Sequence, residues 1–121
     1  MVIQINHTMQ TESVGHESLE LKVFAFSVDV VSFVKSFEKT GKLNAFVNEL
    51  LNRANGFYAN YVSAEEALVG ADKKKYLEES ITNAKKCLEL LQSIEVEKEL
   101  LNEKVDLIIE VAELIKRIGS S

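Results

Sequence analysis

Residues 19–37 run LELKVFAFSVDVVSFVKSF, and the architecture turns on whether they form one helix or a strand. The opening LELKVFAF alternates at period two, and valine and phenylalanine favour sheets, so a strand is the competing interpretation. Length decides for the helix: about 20 residues without a turn signal exceed a typical strand of ~5–6. Wound as a helix, the stretch carries two apolar stripes. Leu21, Phe24, Val28, Val31 and Val34 form one, and Val23, Phe26, Val30, Phe33 and Phe37 form the other. A helix with two such stripes is covered on more than one side.

Working outward, the break falls at Thr40-Gly41-Lys42, where Gly41 suits a left-handed C-terminal cap. A second helix is predicted over about 43–69, with Leu43, Phe46, Leu50, Ala54, Phe57, Tyr61, Ala64 and Leu68 stepping by three or four. Gly56 inside it costs about 1 kcal/mol relative to alanine, which points to a close helix contact. Gly70 closes this helix and Asp72 is the expected N-cap of the next. The third helix, over about 73–92, has its stripe at Leu77, Ile81, Ala84, Leu88 and Leu91. Ser93 is expected to cap a fourth, over about 95–118, with Leu101, Val105, Ile108, Ala112 and Ile115 inward and Leu100, Leu107, Val111 and Leu114 beside them. Four amphipathic segments with short links run antiparallel to their neighbours. The expected fold is all-α, an antiparallel up-and-down four-helix bundle over residues 17–121. Residues 1–16 are polar after a brief apolar start and are expected to form a loosely ordered tail.

Composition agrees. The 121 residues include no proline and only five glycines, residues that strand-and-turn proteins use freely. At 46% hydrophobic and 27% charged the chain is an ordinary globular one. A domain of this size buries roughly two-thirds of its unfolded surface and carries its own core. The single Cys87 excludes an internal disulfide and fits a reducing compartment. No run reaches the ~18 apolar residues of a membrane span, and the start lacks the pattern of a signal peptide, so a cytoplasmic protein without membrane contact is expected.

Chemistry is sparse. The only histidines, His7 and His16, lie in the expected tail, and no Glu-x-x-His exists for a di-iron centre, so neither metal nor cofactor is expected. Cys87 beside Lys85 and Lys86 could be an activated thiol, but a small buried residue is the preferred interpretation. Glu65-Glu66 and Glu78-Glu79 diverge by about 100° on a helix and cannot share a site. No catalytic site is expected, and the chain is read as a non-enzyme. The candidates for nucleic-acid contact are Arg53, Lys73, Lys74, Lys75, Lys85 and Lys86. A net charge of −5 opposes that use, and i, i+4 ion pairing on a wet face is preferred.

From Leu19 to Leu91 the chain resembles the four-helix bundle proteins encoded within intervening sequences of bacterial 23S rRNA genes, also labelled the S23 ribosomal protein family. The likeness is carried by the aromatic-rich first helix and by Leu50-Leu51-Asn52-Arg53-Ala54 and Ala59-Asn60-Tyr61 in the second. Lys75-Tyr76-Leu77, Ile81-Thr82-Asn83-Ala84 and Leu88-Glu89-Leu90-Leu91 complete it. Members commonly have Phe-Pro after the first helix, where this chain has Phe37-Glu38. They also have a serine between the arginine and the asparagine, where Gly56 or Phe57 falls, and an acid at the position of Ser63. A related group is the accessory variability protein of diversity-generating retroelements, a basic pentamer that assists a reverse transcriptase. The resemblance implies an oligomeric bundle, with the pentamer of the related group as the expected form, and an interaction or scaffold role. The alternative is an RNA- or reverse-transcriptase-associated accessory protein.

The stripes themselves suggest self-association. The second, Val23, Phe26, Val30, Phe33 and Phe37, is expected to exceed what one bundle core can bury and to form the oligomer interface. A tail folded back over it would instead leave a monomer.

Overall fold

The computed structural model describes the backbone of residues 2–39 and 45–119, with side chains described from Leu19 onward. Four helices follow one another: α1 (Val2–Glu38), α2 (Ala45–Glu66), α3 (Gly70–Ser93) and α4 (Leu101–Gly119), the last entered through a 3-10 turn at Lys98–Leu100. Among the described residues there is no strand. Each helix packs against its two neighbours in a closed ring, with α1 also meeting α4. The directions alternate. Phe24 meets Tyr58 while Phe26 meets Phe57, and Phe57 meets Ser80 while Arg53 meets Asn83, so numbering falls on one helix as it rises on the next. This is the antiparallel up-and-down bundle expected from the four periodic segments.

The helix ends differ from expectation in instructive ways. Helix α1 begins at Val2, so the backbone of the expected tail is helical. Apart from Gly15, its sequence contains no residue that stops a helix. The Gly41 cap lies outside the described residues. Gly70 opens α3 instead of closing α2, Val69 takes the N-cap position in extended backbone, and Asp72 sits in the first turn, where its charge suits the helix dipole. Ser93 ends α3 instead of capping α4. Its hydroxyl donates to the Glu89 carbonyl at 2.9 Å, and the fully buried Ile94 turns the chain.

The core corrects the assignment of stripes. Val23, Phe26, Val30, Phe33 and Phe37, expected to form the oligomer interface, are buried inside the single chain, with Phe26 and Phe33 at 0% exposure. Leu21, Phe24, Val28 and Val31 lie outside. The stripe with three phenylalanines removes more apolar surface from water than the stripe with one, so it takes the interior. Helix α4 shows the same exchange. Leu100, Leu107, Val111, Leu114 and Ile118 face the core, and Leu101, Val105 and Ile109 are exposed. On α2, Val47 is buried where Phe46 was expected, and Leu68 lies in the open link after the helix. On α3 the buried set is Ser80, Ala84, Cys87, Leu90 and Leu91, with Leu77, Ile81 and Leu88 packed at its edge.

Candidate functional site

The closest helix pair is α2–α3, and small residues make it so. A Cβ on Gly56 would stand 3.0 Å from the Asn83 carboxamide, which accounts for a glycine in mid-helix. One turn away the buried Ser80 hydroxyl donates to the Phe57 carbonyl at 3.0 Å. Beside them Arg53 donates from Nε to Glu49 at 2.8 Å and from Nη1 to Asn83 Oδ1 at 3.3 Å. Asn83 in turn donates to the Glu79 carbonyl at 3.0 Å, and Asn60 donates to the Gly56 carbonyl at 2.8 Å. Three polar residues of the α2 and α3 motifs, Arg53, Asn60 and Asn83, therefore stitch the two helices or their own backbones. Cys87 is fully buried one turn further on, and burial pushes its thiol up to about 12 despite the attraction of Arg53. It is a packing residue.

The basic candidates do not form one footprint. Lys73, Lys74 and Lys75 are exposed on the first turns of α3, and Lys85 and Lys86 follow roughly 18 Å along the axis at 1.5 Å per residue. Lys86 reaches Glu89 at 3.5 Å, and Arg53 is engaged by Glu49 and Asn83. The structure brings Arg53 to α3 but leaves the lysine triplet apart from it.

The opposite seam, α1–α4, is acidic. Asp29 and Ser32 of α1 face Glu103, Asp106 and Glu110 of α4 across a cavity of about 170 Å³ floored by Phe33 and Leu107. Burial raises the Glu110 carboxyl to about 7, and the nearby Asp29, which also hydrogen-bonds to it, and Asp106 add to the effect. Among the described residues no three His, Cys, Asp or Glu side chains form a group able to hold a metal ion. His7 and His16 fall on the part of α1 whose side chains are not described. Sequence periodicity passed over this seam, although Asp29 is the one acid between Leu21 and Phe37, and Glu103, Asp106 and Glu110 share a helix face.

On either flank of the acidic seam lies an apolar face. On α1 it is Leu21, Phe24, Val28 and Val31, turned toward α2, where the Phe24 and Tyr58 rings meet at a tilt with centroids 5.3 Å apart. On α4 it is Leu101, Val105 and Ile109, rotated away from α1. Leu21 and Ile109 each expose more than half of their surface, at 63% and 61%. No described helix is long and apolar enough to cross a membrane.

The chain matches no protein-family model and no curated protein sequence. Among solved structures it is similar to a protein of unknown function from the S23 ribosomal protein family of Bacteroides thetaiotaomicron. The TM-score is 0.74 at 20% identity, over 84% of this chain and 95% of that one. The four-helix architecture foreseen from the residues is thus the fold of a solved member of the family that the sequence resembles.

Proposed function

We propose that this chain is a non-enzymatic, cytoplasmic scaffold that assembles with copies of itself into a closed ring. The observation that carries the proposal is the pair of apolar faces on α1 and α4, separated by the acidic seam. Exposed apolar patches of a few hundred Å² usually mark interaction sites. Two different faces on different flanks suit a heterologous contact, the α1 face of one copy on the α4 face of the next, which closes into a ring when the rotation allows. Five subunits is the number that the family resemblance suggests. An inert, buried thiol and the lack of a nucleophile–base pair among the described side chains support a non-catalytic role.

Light scattering after size exclusion tests this, with a mass several times 13.6 kDa expected. Phe24→Ser and Ile109→Ser should each break the ring, and a mixture of the two variants should form dimers through the one intact pair of faces. A mass that stays at 13.6 kDa over a wide concentration range would refute assembly.

The second reading, an RNA- or reverse-transcriptase-associated accessory protein, is favoured by the exposed triplet Lys73, Lys74 and Lys75. It gains ground if salt-sensitive, submicromolar RNA binding is lost on changing all three to glutamate.

A further inference from the structure

Helix α1 is longer than the bundle it belongs to. Phe26 meets Phe57, and α2 ends nine residues past Phe57, at Glu66. On the antiparallel α1 that level is nine residues before Phe26, at Glu17. By the same count Asp29 and Glu110 line one cavity, and α4 ends at Gly119, level with Glu20. Ser80 of α3 meets Phe57, and α3 begins ten residues before it, at Gly70, beside the α2–α3 link. The backbone of residues 2–16, about 22 Å of α1, therefore stands beyond the other described helices as an arm.

The inward stripe of α1 steps by three and four through Leu19, Val23, Phe26, Val30, Phe33 and Phe37. The same alternation continues back along the arm through positions His16, Glu12, Met9, Ile5 and Val2. An unbroken repeat of this kind is the register of a helix packed along a partner helix. A lone helix of the arm's length is marginal in water, and no other described helix of the chain reaches it. At the root of the arm the bundle end is apolar and open. Leu19 is half-buried, Val69 is exposed, and Leu68 of the α2–α3 link stands at 101% exposure.

We propose that two copies of this chain join end to end through their arms, which pair antiparallel so that the tip of each arm is seated on the other copy's bundle end at Leu19, Leu68 and Val69. The bundle itself selects the register. Position 2 of one copy stands at Leu19 of the other, position 5 at position 16, and position 9 at position 12. A slip of one heptad outward leaves the bundle ends bare. A slip inward carries position 2 to the level of Phe26, where the interior is already filled. A parallel pair would set Glu12 against Glu12 and leave both bundle ends uncovered. The antiparallel pair is two-fold, so it closes at two copies. The polar positions Glu12 and His16 in the seam make it a weak, reversible contact. It uses neither the outward face of α1 nor that of α4, and so stands apart from the ring.

Cross-linking of the full chain tests this. Cys87 is fully buried and its thiol is inert, so single added cysteines report without interference. A mixture of Val2→Cys and Leu68→Cys chains, treated with a short bis-maleimide, should give a product of twice 13.6 kDa. Its yield should exceed that of Val2→Cys with Leu101→Cys, exposed at the opposite end of the bundle, by on the order of tenfold, because docking concentrates the paired thiols. The product should persist when both chains also carry Phe24→Ser, which disables the ring face alone, and should be lost when both carry Met9→Glu. In the unmodified chain the arm amides should exchange more slowly as protein concentration rises. Equal yields at Leu68 and Leu101, a product that vanishes with Phe24→Ser or survives Met9→Glu, or arm exchange independent of concentration would each overturn the proposal. So would a link formed within one highly diluted chain carrying both Val2→Cys and Leu68→Cys, which would mean that the arm folds back on its own bundle.

Discussion

Cys87 sits at 0% exposure among the α2 and α3 side chains, and its thiol is pushed up to about 12 because a thiolate there would be stripped of water. The thiolate is the reactive form, and at pH 8 it would make up on the order of one molecule in ten thousand. A thiol-specific reagent should therefore leave the native protein unmodified for hours and react at once in denaturant. Rapid labelling under native conditions would show that α3 is packed differently. The preference for a buried packing role over a reactive one was legible from residue type alone, because cysteine is among the residues most often buried. Arg53 was not legible in the same way. A basic residue on a helix looks like surface charge until the Asn83 amide is found 3.3 Å away, and the contact crosses 30 positions of sequence.

Among elements, α1 gives the sharpest contrast between neighbouring residues. Phe26→Ala or Phe33→Ala should cost about 3–5 kcal/mol in urea unfolding, since each ring is wholly enclosed. Phe24→Ala should cost only about 1 kcal/mol, mostly its tilted ring contact with Tyr58. Equal losses would mean that α1 is rotated from its described register. Helix count, antiparallel order and the close approach at Gly56 could all be read from periodicity and punctuation. The choice between adjacent stripes could not, because a period of 3.6 fits both and the inward one depends on which neighbours the helix acquires. On α1 the weight of aromatic residues would have decided correctly. On α4 the two stripes are nearly equal in apolar content, and only the partner helix, with Asp29 and Ser32 facing Asp106 and Glu110, fixes the rotation.

Across the whole molecule, the tightest pair and the acidic pair stand at opposite sides of the ring. α2 and α3 are joined by a three-residue link and interlock through Gly56, Ser80 and Ala84, whereas α1 and α4 must find each other across the rest of the chain. Closing the longer loop costs more conformational entropy and must precede its rewarding contacts. The order of assembly in time follows from this difference. The α2–α3 hairpin should be formed in the transition state, so Ala84→Gly should mainly slow folding. The α1–α4 contact should form after it, so Leu107→Ala should leave the folding rate nearly unchanged and hasten unfolding. Stopped-flow chevrons of the two variants would distinguish them, and a slowed folding limb for Leu107→Ala would reverse the order. A bundle built this way comes apart first where its first and last helices meet.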